Sequence, residues 1–236
     1  VFLAAIFSEN SQLFAHPTAR IGPIRIPEPR YLVPLLSMWA LFLFVLVVQR
    51  DLGSAVLYYG LFALLGFSAT GQAVYLVLPT LLGGLGGALA IANSQGSGYQ
   101  LVQAMFALAN GGYVGRGLGQ GYARFIPASY TDLPFAIIGE ELGLIGLIAG
   151  MTGHFLLVGR GMWLSFRTGQ EFMQLLGLAI VLGWALSMFL VTAGLFRVLP
   201  LTGLVTPFVS YGGTAMVTNL FSLGLLLNIS RQELWS

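Results

Sequence analysis

An all-α fold built from helices that cross a lipid bilayer is predicted by three features of the sequence. Of its 236 residues, 57% are hydrophobic and only 8% are charged, whereas a soluble globular domain carries about 25% charged residues. The mean hydropathy is +0.86. No charged residue occurs from Leu52 to Gly115, a run long enough for three membrane helices at about 20 residues each. A soluble domain of this size would need far more polar surface to cover its core. All 10 basic residues are Arg, and the formal net charge of +2 is too small to suggest a nucleic-acid partner. With no Cys, neither a disulfide framework nor a thiolate metal site can form.

The chain starts at Val1 rather than Met. Val1–Phe7 is apolar but too short to span, and residues 1–30 read as a cytoplasmic loop at a truncated start. A transmembrane domain is expected over residues 31–231. It holds six apolar stretches of spanning length: Tyr31 to Gln49, Leu52 to Thr70, Ala73 to Ala92, Leu133 to Val158, Phe172 to Phe196 and Gly212 to Ile229. In lipid the backbone must satisfy its own hydrogen bonds, so each should be a helix. The Gly-rich run 83–87 suits close helix packing.

Two connections stand apart. The outer loop 93–132 concentrates Gly and Arg and carries a short helical pattern, Tyr99 to Ala109, with Leu101, Met105 and Leu108 at helical spacing. It is too short to span. The segment Arg197 to Gly213 contains Pro200, Gly203, Pro207, Gly212 and Gly213, which break helices and set turns. Arg in short loops biases orientation. Six spans put Arg20, Arg25, Arg30, Arg160, Arg167 and Arg231 on one side and Arg50, Arg116, Arg124 and Arg197 on the other. That six-to-four bias places both ends in the cytoplasm and both special connections outside.

Few residues here can carry chemistry. Asp51 and Asp132 are the only Asp, and both read as helix starts, where a carboxylate caps backbone N–H groups. Asp132 also ends the outer loop, after Tyr130 and Thr131, where a carboxylate at the membrane boundary would serve as a general base. Glu140 and Glu141 lie inside the fourth stretch, and an ionisable residue there is costly and a functional hypothesis by default. Adjacent residues point about 100° apart, so the two should not share one contact. Glu140 and Asp132, eight apart, fall roughly on one helix face. Arg116 sits in the Gly-rich turn Gly115-Arg116-Gly117-Leu118-Gly119-Gln120-Gly121. No strand precedes it, so this is not a nucleotide fingerprint, but Arg offers a planar fork of donors to a pyrophosphate. His154, alone in mid-helix, reads as a packed core histidine.

Several blocks resemble a known family. Gly98-Tyr99-Gln100-Leu101-Val102-Gln103, Gly115-Arg116-Gly117-Leu118-Gly119, Ile126-Pro127-Ala128-Ser129-Tyr130-Thr131-Asp132 and Phe135-Ala136-Ile137-Ile138-Gly139-Glu140-Glu141-Leu142-Gly143 are similar to the SEDS family, the FtsW-, RodA- and SpoVE-like proteins of bacterial cell-wall synthesis. Gln49-Arg50-Asp51-Leu52-Gly53 and the block from Pro200 to Thr214 agree, in the right order. Tyr130 stands where the family commonly has His, Arg50 where many members have Pro, and Leu133-Pro134 where Phe-Ile is more usual. These departures suggest a divergent RodA-like branch. Since the family has about ten spans, the resemblance implies that this chain holds the carboxy-terminal six.

The resemblance also implies a reaction, the polymerisation of lipid II outside the cytoplasmic membrane by an inverting peptidoglycan glycosyltransferase, with loss of undecaprenyl pyrophosphate. It implies the base role for Asp132 and, by charge and side, leaving-group contacts for Arg116, Arg124 and Arg197. Gly117 and Gly119 in the Gly-rich turn, Tyr130, Thr131 and Glu140, and Ser210 and Tyr211 in the Pro-rich loop complete the expected substrate-binding set. A divalent cation at the pyrophosphate would suit the chemistry, but no ligand cluster stands out. A class B penicillin-binding protein is the partner it implies. A lipid II flippase, or a scaffold that only recruits the wall-synthesis machinery, are the competing readings.

Overall fold

The structure, a computed structural model, describes residues 1–9, 19–21, 24–26, 37, 41, 52–73, 75–76, 98–122, 126, 128–199 and 201–233. Its helices are α1 (Phe2–Glu9), α2 (Leu52–Thr70), α3 (Gly98–Gly111), α4 (Ser129–Asp132), α5 (Pro134–Arg167), α6 (Glu171–Leu195) and α7 (Gly213–Glu233). Four of them, α2, α5, α6 and α7, are long and apolar enough to cross a membrane. The expected spans at residues 31–49 and 73–92 lie almost wholly outside the described residues, as do Asp51 and the Gly-rich run 83–87. α2 matches its predicted bounds, and α6 and α7 match theirs to within a few residues. A departure from helix is one antiparallel hairpin, β1 (Ala19–Ile21) with β2 (Ile24–Ile26), which pairs Arg20 with Arg25. The segment before Phe7, too short to span, is nevertheless helical.

Chain contacts divide the protein into two units, residues 1–88, 161–183 and 225–236, and residues 89–160 and 184–224. In the first, α1 packs on α2. The rings of Phe7, Phe62 and Tyr75 meet pairwise at 6.0 to 6.3 Å. Leu175 and Leu176 of α6 close this cluster. Small residues bring α5 and α6 together: a Cβ on Gly161 would sit 2.6 Å from Val181 Cγ2, and one on Gly177 would strike Ser165 Oγ. This is the small-residue packing expected where lipid supplies no hydrophobic drive between helices.

The second unit contains both special connections. α3 realises the predicted short helix, but its buried face is Ala104, Ala107 and Gly111. Of the apolar residues that recur at helical spacing, Met105 is exposed and Leu101 and Leu108 are half-buried. The small face is selected because a Cβ on Gly111 would collide with the Gly139 carbonyl of α5. At the other connection, the Trp184 ring meets Phe208 edge-on at 5.0 Å, and its Nε1–H donates to Asn219 Oδ1 at 3.1 Å.

The helix predicted from Leu133 to Val158 runs longer, to Arg167, and is not continuous: Gly143 has φ 69 and ψ −165. That backbone region is essentially reserved for Gly. The part after Gly143 is by itself long enough to cross a hydrocarbon core of about 30 Å.

Candidate functional site

The break in α5 is filled by the turn that follows α3. In an unbroken helix, Leu144 and Ile145 N–H would donate to the carbonyls of Glu140 and Glu141. Here they donate to Gly112 O at 2.9 Å and Tyr113 O at 3.2 Å, and the two freed carbonyls accept from Arg116 N–H at 3.0 Å and Gly117 N–H at 2.9 Å. The two segments thus exchange one pair of helical bonds for another. The exchange requires contact so close that a Cβ on Gly115 would overlap the Glu141 carbonyl, and one on Gly143 would overlap Gly115 N. Gly115, Gly117 and Gly119 all have positive φ, which curls the turn back on itself.

The side chains of Glu140 and Glu141 grip the same turn. Glu140 Oε2 accepts from Tyr122 N–H and Glu141 Oε2 from Gly119 N–H, each at 3.0 Å. A Cβ on Gly121 would lie 3.0 Å from Glu140 Oε2 and 3.1 Å from Glu141 Cγ. The two carboxylates do not share one contact, as their divergence of about 100° implies, but the turn wraps around the helix end and gives each its own donor. Glu140 is fully buried, and its Oε1 has no hydrogen-bond partner among the described residues. The Arg116 guanidinium is exposed and lies 5.3 Å over the Tyr122 ring, a cation–π arrangement.

Asp132 occupies the other part of the unit. It is the last residue of α4, whose entry residue Ala128 is left-handed at φ 51. Leu133 (φ −130, ψ 43) then separates it from Pro134, the start of α5. Asp132 is therefore not the helix cap its position suggested. Because Leu133 is not helical, the eight-residue spacing also does not place it on one helix face with Glu140. Its carboxylate is half-buried and accepts no hydrogen bond from the described residues. A Cβ on Gly203 would lie 3.9 Å from Asp132 Oδ2, and Tyr211 N–H donates to Tyr130 O at 2.9 Å. The end of the outer loop and the Pro-rich loop are thus joined beside the carboxylate.

Tyr130 and Tyr211 are exposed at this junction. Thr131 Oγ1 donates back to Ala128 O at 3.0 Å. Ser210 is buried, and its Oγ accepts from Thr206 N–H at 2.8 Å, an internal brace of the Pro-rich loop. Arg197 follows α6 in a left-handed conformation with its side chain exposed. Arg124 lies outside the described residues. His154 is buried, as read from the sequence. The sequence reading left Glu141, Tyr122 and Gly203 out of the expected set. Their signal was available only as adjacency to Glu140, Arg116 and the Pro-rich block.

Comparison with known proteins decides the family. The model described as "Cell cycle protein", for FtsW, RodA and SpoVE, matches residues 88–234. This chain belongs to the FtsW/RodA/SpoVE family. Among curated relatives, the peptidoglycan glycosyltransferase RodA of Mycobacterium leprae (strain TN) is 33% identical over 247 residues, covering 98% of this chain and 53% of its own length. The chain thus spans about half the length of the curated relatives it matches. The fold matches the crystal structure of an aspartate-to-alanine mutant of the Thermus thermophilus rod shape determining protein RodA, with TM-score 0.62 and 21% identity, over 97% of this chain and 64% of that one. It also matches a chain of a peptidoglycan synthase complex reported to coordinate polymerization and crosslinking, with TM-score 0.69 and 21% identity, over 98% and 67%. The all-α membrane bundle and the FtsW/RodA/SpoVE assignment both stand.

Proposed function

We propose that this chain is part of an inverting peptidoglycan glycosyltransferase that extends glycan strands from lipid II in a bacterial cytoplasmic membrane. The RodA relatives named as peptidoglycan glycosyltransferases support the reaction class. The observation that carries the site assignment is the Asp132 carboxylate at the junction of the two loops, which accepts no hydrogen bond from the described residues. In the proposed step, the acceptor sugar hydroxyl attacks the donor's anomeric carbon and its proton passes to Asp132. The bond from that carbon to the pyrophosphate oxygen breaks, undecaprenyl pyrophosphate leaves, and the configuration inverts. A positioned base contributes typically about 10²- to 10⁴-fold. The active face is outside, with both chain ends cytoplasmic.

Tyr130, Thr131 and Tyr211 form the walls near the base in this reading, with Tyr130 and Tyr211 offering exposed surface to a sugar and the buried Ser210 bracing the Pro-rich loop behind them. Arg116, Arg124 and Arg197 supply positive charge for the pyrophosphate. The N–H groups of Gly117 and Gly119 are committed to Glu141, so the Gly-rich turn acts through the Arg116 side chain rather than as a cradle of free N–H donors. A divalent cation bound by the protein does not fit the described residues: no three His, Asp or Glu converge among them.

The partner in this reading is a class B penicillin-binding protein, which cross-links the new strand. It is supported by the likeness to a synthase-complex chain. The test uses purified full-length protein with its cognate partner and lipid II. Glycan chains that vanish on Asp132→Ala support the enzyme. Transfer of lipid II across vesicles without polymerisation would favour the flippase, and polymerisation unaffected by Asp132→Ala would favour the scaffold.

A further inference from the structure

Four backbone donors of the turn, on Arg116, Gly117, Gly119 and Tyr122, all end on acceptors of two residues. Glu140 takes Arg116 through its carbonyl and Tyr122 through Oε2. Glu141 takes Gly117 through its carbonyl and Gly119 through Oε2. Glu140 therefore holds both members of the cation–π pair by their backbones, one from each end of the turn. Glu140 is fully buried, and both carboxylates face backbone N–H groups. Among the described residues the Arg116 guanidinium makes no ion pair. It is left as the turn's outward-facing donor set, resting on an aromatic face. A guanidinium held this way loses less freedom on meeting an anion, which favours bidentate binding of a phosphate group.

We propose that Glu140 and Glu141 are positioning residues for Arg116: their acceptor atoms, and not their charge, fix the Arg116–Tyr122 pair as an anion-binding unit for a lipid-linked pyrophosphate. The ligand class rests on the reaction proposed above, while the clamp rests on the hydrogen bonds alone. Gln keeps a carbonyl oxygen that can accept the same N–H, and Ala does not. A clamp is thus rescued by Gln, whereas a titrating acid or base is not.

The experiment uses full-length protein in lipid nanodiscs, with undecaprenyl pyrophosphate as the probe and hydrogen exchange of residues 115–122 as a ligand-free readout. Glu141→Ala, at a half-buried site, is the variant that keeps the fold, and Glu140→Ala tests the buried member. The expected result is faster exchange over the turn in both Ala variants. Affinity for the probe should weaken by about tenfold, as in Arg116→Ala. Glu140→Gln and Glu141→Gln should retain native exchange and affinity to within about threefold. Unchanged affinity in the Ala variants, with Arg116→Ala still impaired, overturns the positioning role alone. Gln variants as damaged as Ala variants overturn it in favour of a charged role. Unchanged affinity in Arg116→Ala removes the pyrophosphate assignment, and the inference with it, while the exchange data still report on the clamp.

Discussion

At the scale of single residues, the Asp132 carboxylate accepts no hydrogen bond from the described residues, so its removal should be silent in stability. Asp132→Asn is expected to leave the melting temperature within about a degree and to lower polymerisation by at least about 10²-fold; thermal unfolding in detergent, run beside the activity assay, checks the pair of outcomes. Ser210 predicts the reverse. Its buried Oγ satisfies Thr206 N–H, and a buried donor left unpaired costs about 1–3 kcal/mol. Ser210→Ala should therefore lower stability measurably, and Ser210→Cys should not restore it, because sulfur is a weak acceptor. Asp132 was legible as a residue of interest because Asp is so rare in this chain. Its release from capping was not, since that depends on one non-helical residue, Leu133.

At the scale of elements, composition located the four described spans, α2, α5, α6 and α7, because apolar length alone fixes them; the other two expected spans lie outside the described residues. α2 appears at its predicted bounds. The break at Gly143 was invisible, since Gly143 sits in a run with Gly139, Gly146, Gly150 and Gly153 and nothing local marks it. What selects it is a tertiary event, the insertion of residues 112–117 into the helix ladder. Gly143→Ala combines a forbidden backbone conformation with overlap on Gly115. It should cost at least about 2 kcal/mol. Faster hydrogen exchange at Arg116 and Gly117 would accompany the loss, as seen by mass spectrometry. The same logic explains α3, where helical periodicity located the helix but not its buried side. Close approach to Gly139 chose Ala104, Ala107 and Gly111 over the larger residues. In the other unit, Gly161→Leu should overpack against Val181 and destabilise by about 1–3 kcal/mol.

At the scale of the whole molecule, the sequence declared a membrane protein through its 8% of charged residues, and the family through ordered motif blocks. The site was legible only as a set of motifs. The structure adds that they form two groups: Asp132 with the Pro-rich loop, and Arg116 with Glu140 and Glu141. The proposed base of the glycan-forming reaction is Asp132. That role is tested most directly by following lipid II polymerisation with full-length protein and its cognate partner, comparing native protein with Asp132→Ala at equal folded concentration. Glycan chains are expected from the native protein, with a loss of at least about 10²-fold in the variant. Chains formed at the native rate by Asp132→Ala would contradict that role.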